Sequence, residues 1–390
     1  MSEEKKHALL SASSAHKWLE CTPSARLETK FENKTSEYME EGTLAHEIAE
    51  FKVRSYFLEP TTKRKTTAQL KKFEKRKYYS PEMLKHAEDY LDYIKQLTLD
   101  TSAQPFITVE KEVRFDDYVP EGFGTADCIV VKGNTLHVID FKYGKGVMVS
   151  AEENPQMKLY ALGALKAYGI IYPITNVKMT IFQPRLESVS EATIGVINLL
   201  GWAENVVKPQ AQKAFAGIGD YNQGHHCRFC RARGACEFRA KENMKVIESI
   251  QTSGLLDSQE IADVITKTEG FEDWIKSVRE YALEQILKGE EIPGYKVVEG
   301  KSNRKLVDVE KAFEILEESG IDKALLYERK PLTLTGLERT IGKKEVADYI
   351  GDYIEKPKGA PTLVKSTDKR TEYQRISAIE EFKSIESEAE

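Results

Sequence analysis

Asp127, Asp140 and Lys142 have the residue types and the spacing of a site that holds a divalent metal ion beside a positive charge. Gly133-Asn134 lies midway between the two aspartates and is typical of a two-residue hairpin turn. With that turn, Asp127 faces Asp140 across the hairpin, and Lys142 shares their face. Two facing carboxylates destabilise a sheet, and a cation between them removes that cost. Mg²⁺ and Mn²⁺ prefer oxygen ligands, and a nearby ammonium can position an attacking water or stabilise developing charge.

Two other interpretations of this hairpin are open on the residues alone. The charges could stand by chance on an exposed hairpin, or Asp140 and Lys142 could form a purely structural ion pair. The flanking strands, GTADCIVV and TLHVIDFKY, are too apolar for an exposed hairpin. The sequence therefore favours a metal site.

Four short motifs follow one another along the chain. They are Gly42-Thr43-Leu44-Ala45-His46, Gly124-Thr125-Ala126-Asp127, Asp140-Phe141-Lys142 and Gln156-Met157-Lys158-Leu159-Tyr160. The set resembles the helical histidine, G-x-x-D, D-x-K and Q-x-x-x-Y motifs of the RecB-type branch of the PD-(D/E)XK nucleases. A single D-x-K is common by chance, whereas four motifs in this order with ordinary spacings are specific.

The resemblance implies roles for these residues. It implies a Mg²⁺ or Mn²⁺ site whose ligands are His46, Asp127, Asp140 and the backbone carbonyl of Phe141, and the imidazole favours Mn²⁺ somewhat. Lys142 would align the attacking water. Gln156 and Tyr160 share a helix face and would contact a DNA phosphate or brace Lys142. Without the resemblance, packing roles are favoured for both His46 and Tyr160.

Glu110 lies in the preceding strand-like segment, PFITVEKEVRF. It either supports the metal or the lysine, or points outward on a solvated face together with Glu112. The residues leave both interpretations open.

Three cysteines lie close together in the segment Cys227-x2-Cys230-x5-Cys236. In a chain that we expect to be cytoplasmic, such a cluster indicates metal or redox chemistry rather than disulfides. A closed tetrahedral or cubane site needs a fourth ligand, for which Cys21 is the best candidate. Cys128 follows Asp127 on the same strand and is expected to point to the opposite face, into the core.

The arrangement of one cysteine upstream of the four motifs and three downstream resembles the iron–sulfur staple of AddB-type nucleases and of the CRISPR-associated RecB-like nucleases. The resemblance implies a [4Fe–4S] cluster on Cys21, Cys227, Cys230 and Cys236, although Cys21-Thr22-Pro23 departs from the frequent Cys-Pro. Zn²⁺ is the alternative, because four cysteines suit both metals and His225 or His226 could replace one of them. The role would be structural, closing a loop of roughly two hundred residues, with redox sensing also open.

The segment Lys63–Lys77 has a local excess of positive charge and contains Phe73, with Tyr78 and Tyr79 following. That composition is typical of a surface that tracks phosphates and stacks bases, but a solvated lysine-rich helix or loop explains it equally well. The candidate DNA contacts are Lys63, Arg64, Lys65, Lys71 and Lys72. Further candidates surround the cysteines: Arg228, Arg231, Arg233 and Arg239.

Apolar periodicity predicts the elements that position these residues. Helices are expected at 8–30, 41–58, 81–97, 154–168 and 196–216, and strands at 105–115, 124–131, 135–143 and 177–185. With the resemblance, this order predicts an α/β fold: a PD-(D/E)XK restriction-endonuclease-like core, with a mixed central sheet flanked by helices, helical N-terminal elements and an α-rich C-terminal region. We expect a nuclease domain at 1–245, closed by the cysteines, and a mostly helical region of unknown role at 246–390.

Composition limits the partners. Apolar residues make up 41% of the chain, enough for a large core, and the net charge of -6 excludes a global polycation. A nucleic acid would therefore be held by a local basic patch. No apolar run approaches the roughly 20 residues of a membrane span, and the N-terminus lacks signal-peptide features. We expect a protein of the bacterial host cytoplasm with no membrane partner.

These observations predict a metal-dependent deoxyribonuclease. We expect it to act on DNA as an exonuclease that hydrolyses phosphodiester bonds with metal-activated water. Residues 293–305 and 356–370 resemble stretches of phage and prophage RecB-like proteins, which suggests a role in phage-type DNA recombination, replication or end processing. A phage recombinase or single-strand annealing protein is a further candidate partner. The alternative is a non-catalytic DNA-binding module or accessory subunit with a structural Cys₄ metal site.

Overall fold

The computed structural model describes residues 8–33, 35–99, 105–248, 254–299, 309–320 and 333–350, and positions 322, 326, 353, 354 and 371. The chain divides into two compact units, Met1–Val298 and Glu299–Glu390, and every candidate site residue belongs to the first. The predicted domain boundary near residue 245 falls within a helix and stays a prediction. Residues 356–370, one of the two phage-like stretches, lie outside the described residues.

A five-stranded mixed sheet lies at the centre of the first unit, in the order β1-β2-β3-β4-β5. The strands are β1 (Phe106–Arg114), β2 (Phe123–Lys132), β3 (Thr135–Phe141), β4 (Asn176–Gln183) and β5 (Ser188–Gly195). β3 and β4 run parallel, and the other neighbouring pairs are antiparallel. A parallel pair needs a crossover, and the connection from β3 to β4 contains a helix, as is usual for such pairs.

Helices precede, interrupt and follow the sheet. Those of the first unit are α1 (Ala15–Trp18), α2 (Ser24–Glu28), α3 (Glu37–Phe57), α4 (Lys63–Glu74), α5 (Pro81–Leu99), α6 (Pro155–Tyr168), α7 (Val196–Trp202), α8 (Lys208–Ala216), α9 (Glu237–Glu248), α10 (Ser258–Lys267) and α11 (Phe271–Leu287). Those of the second unit are α12 (Val309–Glu318), α13 (Leu334–Ile341) and α14 (Lys343–Ile350). In the described part of the chain, no helix is both long and apolar enough to span a membrane.

The sheet has a separate apolar core on each face. Cys128 and Val130 pack on the side of α3 and α5, whereas Ile129 and Val131 pack on the side of α6. This alternation follows from the two-residue period of a strand, and burial on both faces explains why β2 and β3 are almost continuously apolar. The predicted α/β class, with a mixed central sheet flanked by helices, is confirmed.

The predicted hairpin register is also confirmed. Lys132 pairs with Thr135, and the ladder continues to the pair Cys128 and Ile139. Gly133 has a φ of 58°, the left-handed conformation that the first central residue of a tight hairpin turn requires.

Two local predictions were wrong and one strand was missed. Helix α3 does not open at Gly42-Thr43 but at Glu37, because the side chain of Ser36 accepts a hydrogen bond from the Met39 N–H and caps the helix. The helix expected over 8–30 is broken into a short 3₁₀ segment, α1 and α2. Strand β5 was not predicted, although its half-buried and exposed residues alternate.

Candidate metal centre

Asp127 and Asp140 lie where strands β2 and β3 separate. The hairpin ladder ends at Cys128 and Ile139, whereas β2 stays paired with β1, and β3 with β4, beyond that point. The two aspartates are the next residues of the two strands, so both lie at the point where the strands begin to separate. We call this point the fork. A side-chain hydrogen bond crosses this fork, because the backbone N–H of Phe141 donates to Asp127 Oδ2 at 2.7 Å.

His46 reaches Asp127 from helix α3. Its Nδ1 lies 3.4 Å from Asp127 Oδ2, and its ring meets the ring of Phe141 edge-on at 5.4 Å. Burial alone lowers the pKa of His46, but the charge and the hydrogen bond of Asp127 outweigh it and raise that pKa above its ordinary value. Burial conversely raises the pKa of Asp127, and His46 and Lys142 outweigh it and hold that pKa below its ordinary value.

Glu110 completes a group of three ligand atoms. One ligand atom each from His46, Glu110 and Asp127 lie within 4.8 Å of one another. Two ligands on opposite sides of one Mg²⁺ are about 4 Å apart, so a single ion can bridge such a group. Glu110 therefore lies beside His46 and Asp127, whereas Glu112 is exposed. A supporting role of Glu110 at a metal stays a prediction.

The backbone at Glu110 is unusual for a strand residue. Its φ is 47°, in the left-handed region that a residue with a Cβ rarely adopts. The β1–β2 register is the same on both sides of it, with Val109 opposite Cys128 and Lys111 opposite Ala126. The strand therefore keeps its pairing while one residue, opposite Asp127, is rotated out of the regular conformation. Residues held in such conformations concentrate at functional sites.

Asp140 is held by a lysine and a glutamine. Lys142 Nζ lies 3.2 Å from Asp140 Oδ1 and 3.0 Å from Oδ2. Gln156, in the first turn of α6, donates from Nε2 to Asp140 Oδ1 at 3.2 Å and to the hydroxyl of Tyr160 at 3.3 Å. The predicted bracing role of Gln156 and Tyr160 is thus directed at Asp140, and reaches Lys142 only through that carboxylate.

Burial affects the charges of this pair strongly. It is the main cause that raises the pKa of Asp140, with Asp127 adding to it and Lys142 opposing it. Burial lowers the pKa of Lys142, but the two aspartates outweigh it and keep the ammonium charged. The Asp140 side chain is only 3% exposed, and its Oδ2 has no hydrogen-bond partner in the described structure beyond the ion-pair contact.

These features fit a divalent metal ion. A buried carboxylate oxygen without a hydrogen bond is costly unless a cation compensates it. The donor set of His46, Glu110 and Asp127 joins two carboxylates with one imidazole, which suits oxygen-preferring ions that also accept nitrogen. The Asp140 carboxylate lies near this group and interacts with the charges of Asp127 and His46. Phe141 contacts this group through its N–H and its ring, and a role for its carbonyl stays a prediction.

A second group forms around one cavity near the N-terminal helices. Cys21, Cys227, Cys230 and Cys236 all line it, together with His226. Cys21 follows α1, and the other three flank a 3₁₀ turn and the start of α9. The structure therefore brings together all four predicted cysteines, although Cys21 is about two hundred residues from the others.

The thiols of this cysteine cavity differ in the direction in which their surroundings shift the pKa. Burial raises the pKa of Cys230 to about 12 and raises that of Cys236. Burial also acts on Cys227, but a hydrogen bond from His226 outweighs it and lowers its pKa. His226 contacts Cys21 as well as Cys227, and these contacts raise its pKa to about 10 against the effect of burial. His225 is exposed and does not line the cavity.

Hydrogen bonds fasten the cysteine segment to the N-terminal helices. Glu28, 5% exposed, accepts both from Lys17 Nζ at 2.8 Å and from the backbone N–H of Arg231 at 2.7 Å. Thr22 donates to the carbonyl of Ile218 at 2.8 Å. Cys128, in contrast, is fully buried in the core beside α3 and α5, as predicted.

The basic segment forms helix α4, whose cap is Thr62. All five candidate DNA contacts on it are exposed: Lys63, Arg64, Lys65, Lys71 and Lys72. Phe73 is buried and packs against Phe51 with ring centroids 6.0 Å apart. It anchors the helix and is not placed to stack on a base.

Arg185 was not singled out by its sequence context. It follows β4, pairs with Glu41 of α3 at 3.0 Å, and lies over the ring of Tyr143 at 4.8 Å. Tyr143 is the neighbour of Lys142, so this contact ties α3 to the chain that carries the lysine. No spacing pattern in the sequence marks the pair, because it joins residues 144 positions apart.

Comparison with known proteins gives a family but no activity. A family model described as "Protein of unknown function (DUF2800)" matches residues 7–371. Among solved structures, one titled "Crystal structure of SSO0001" is 12% identical, covers 57% of this chain and 96% of that chain, and has a TM-score of 0.23. A TM-score of that size supports no argument about fold or function.

Proposed function

The chain belongs to the DUF2800 family, and we propose that it is a metal-dependent DNA nuclease. The observation that carries the proposal is the fork between β2 and β3, where Asp127 and Asp140 meet with a lysine and a histidine. Two carboxylates placed side by side at such a fork are costly unless a cation compensates them. The order of the four motifs, which resembles that of RecB-type nucleases, supports the same proposal.

The proposed roles follow from the contacts. His46, Glu110, Asp127 and Asp140 would hold Mg²⁺ or Mn²⁺, which supplies Lewis-acid polarisation of a phosphate and a lowered pKa for water. Lys142, kept charged by Asp140, would orient the attacking water and offset charge that develops on the phosphate. Gln156 would fix the direction of the Asp140 carboxylate through its hydrogen bond, and Tyr160 would fix Gln156.

DNA is the proposed substrate because an exposed basic helix is present on an otherwise acidic chain. Five cationic side chains of α4 are exposed. Exposed cations bind the phosphate backbone of a nucleic acid without recognising its base sequence. We propose exonuclease action in phage-type recombination, replication or end processing, in the cytoplasm of a bacterial host. A recombinase or annealing protein would be the partner.

The cysteine cavity would hold a [4Fe–4S] cluster that fastens the N-terminal helices to the segment before α9. Four cysteines around one cavity support a metal centre of either kind. A single zinc ion with bonds of about 2.3 Å brings its sulfur ligands to about 4 Å from one another. Among the described residues the cysteines do not form a group within 4.8 Å. The preference for the cluster over zinc rests on the resemblance of the split cysteine pattern to the iron–sulfur staple.

The test is cleavage of end-labelled single- and double-stranded DNA with Mn²⁺ or Mg²⁺. We expect wild-type cleavage that stops with a chelator, and no cleavage by Asp140→Asn or Lys142→Ala. Asp117→Asn is the matched control, because Asp117 is exposed and pairs only with Lys166 at the surface. Undiminished cleavage by both site variants would overturn the proposal. Metal-independent binding without cleavage by the wild type would indicate the non-catalytic binding module instead.

A further inference from the structure

We propose that an arginine pocket beside the cysteine cavity binds a backbone phosphate of DNA, an inference that rests on the proposed nuclease function. The pocket has a volume of about 110 Å³, which leaves room for several water-sized groups and hence for one phosphate. Its charged lining residues are Arg228, Arg233, Arg239, Asp273, Lys276 and Glu280.

Tight backbone packing builds this pocket. A Cβ at Gly234 would lie only 2.3 Å from the carbonyl oxygen of Ser277, so the cysteine segment rests directly on helix α11. Arg233 is further fixed because its guanidinium donates to the carbonyl of Arg228 at 2.8 Å. The arginines on one side of the pocket and α11 on the other are therefore held at a set separation.

Arg239 is the residue whose surroundings most favour a bound anion. It is only 8% exposed, and its Nε has no hydrogen-bond partner in the described part of the chain. A buried Nε–H without an acceptor is costly, and an anion that accepts from it removes the cost. Arg239 lines both the arginine pocket and the cysteine cavity, so it is available to a ligand from the pocket side.

The carboxylates in the pocket leave its positive charge in excess. Arg228 lies 4.0 Å from Asp273, while Arg233 and Lys276 lie 3.9 and 4.0 Å from Glu280. These separations are at the outer limit of an ion pair, so the cations keep donors for another partner. Four cations against two carboxylates give the pocket a net charge of about +2, which matches a phosphate group bound by guanidinium forks.

The exposure of the outer residues favours a phosphate that belongs to a strand. The side chains of Arg228 and Arg233 are 63% and 43% exposed, so the pocket opens to the surface, where a chain can run past it. A phosphodiester in a DNA strand meets this geometry, and free inorganic phosphate shares its chemistry. The two sources are separated by the experiment.

The experiment measures binding of short single- and double-stranded DNA in Ca²⁺, and heat stability with inorganic phosphate, for wild type and for Arg228→Ala/Arg233→Ala. This double variant leaves Arg239 and all cysteines in place. Arg279→Ala is the matched control, because Arg279 is an exposed arginine of the same helix α11 that does not line the pocket. We expect about 10-fold weaker DNA binding for the double variant, with a salt slope smaller by about one phosphate contact, and no change for the control.

Each outcome bears on a separate claim. If the double variant binds DNA like the wild type with the same salt slope, the pocket proposal is wrong and the nuclease proposal stands. If the wild type binds no DNA under any condition, the nuclease proposal fails. Stabilisation by inorganic phosphate that the double variant loses, without any DNA binding, identifies a free-phosphate site and overturns the strand assignment.

Discussion

The carboxylate of Asp140 is subject to two opposing effects, one that disfavours its charged form and one that favours it. Its carboxylate is nearly fully buried and close to a second carboxylate, which raises its pKa and makes its charged form costly in the folded protein. Lys142 and Gln156 offset part of that cost by their contacts with it. A residue whose charge is costly for folding but suited to a cation is typical of a site that trades stability for function.

We therefore predict that Asp140→Asn abolishes cleavage without lowering stability. The amide keeps the shape and the contact with Gln156 but removes the buried charge, and Asp127 remains to compensate the Lys142 ammonium. The free energy of unfolding without divalent metal should therefore stay equal or rise by about 1 kcal/mol. Cleavage should fall by at least about 10²-fold. Denaturant unfolding in a chelator measures the first effect, and the DNA assay the second. A strongly destabilised variant would contradict the cost assigned to this charge.

A second prediction concerns Glu110 and its left-handed backbone. Glu110→Gly removes a ligand but suits a φ of 47°, since glycine adopts that conformation without strain. We expect Mn²⁺ affinity to fall by about 10-fold or more while heat stability in a chelator is kept or rises slightly. Glu112→Gly, at an exposed position of the same strand, is the control and should keep the affinity. Mn²⁺ titration followed by electron paramagnetic resonance decides between them, and equal affinities for the two variants would remove Glu110 from the site.

At the scale of elements, the hairpin could be predicted from local sequence patterns. The other parts of the site depend on contacts between residues that are far apart in sequence. The Gly133-Asn134 turn and the apolar strands beside it fix a register that is readable from a few adjacent residues. The contact of Glu110 with the site depends on one rotated residue inside a strand, which no periodicity reveals. Strand β5 lies at the sheet edge, where its side chains alternate between half-buried and exposed and none is fully buried, so its apolar signal is weak. Cys21 lies near the other cysteines across about two hundred residues, and only the need for a fourth ligand and the family resemblance pointed to it.

Helix α5 is tied to the sheet by a buried polar contact that sequence patterns did not predict. His137 of β3 is 6% exposed, and its Nε2 lies 2.7 Å from the hydroxyl of Thr180 on β4. The hydroxyl of Tyr93, on α5, lies 3.0 Å from the same Thr180 oxygen. One threonine hydroxyl thus joins two strands and the helix that covers them.

This contact predicts a pH dependence of stability. Burial, with the charge of Lys178, lowers the pKa of His137 to about 3 from 6.5. The folded state therefore keeps the ring neutral while the unfolded chain takes up a proton below pH 6.5, so stability is lost as the pH falls from 6.5 towards 3. At pH 5 the loss from this residue should be about 2 kcal/mol.

The measurement compares wild type with His137→Gln, which cannot titrate. The difference in the free energy of unfolding between the two should shrink by that amount between pH 7 and pH 5. A difference that stays constant with pH would show that His137 becomes protonated in the folded protein.

At the scale of the whole molecule, the chain closes on itself through the cysteine cavity. The N-terminal helices α1 and α2 lie far from α9 in sequence, yet Glu28 accepts from Arg231 in the segment that carries the three downstream cysteines, and Thr22 donates to Ile218, which precedes that segment. These few hydrogen bonds are worth about 1 kcal/mol each. A metal centre on all four cysteines would add the entropy of closing a loop of about two hundred residues, which grows only slowly with length but is several kcal/mol in total.

The last prediction tests this closure by removing one thiol. Cys21→Ala should lose most of the bound metal and lower the free energy of unfolding by about 2–4 kcal/mol, because the loop is then held only by its hydrogen bonds. Cys128→Ala is the matched control: Cys128 is equally a buried cysteine but lies in the core beside α3 and α5, so this variant should keep the metal and lose only packing energy. Metal analysis with an absorption spectrum after anaerobic purification gives the first result, and chemical denaturation the second. Iron with broad absorbance indicates the cluster, zinc without colour indicates a single ion, and full metal content in Cys21→Ala would show that the N-terminal cysteine is no ligand. The destabilisation should also disappear when both proteins are compared after removal of the metal, since the loop is then open in each.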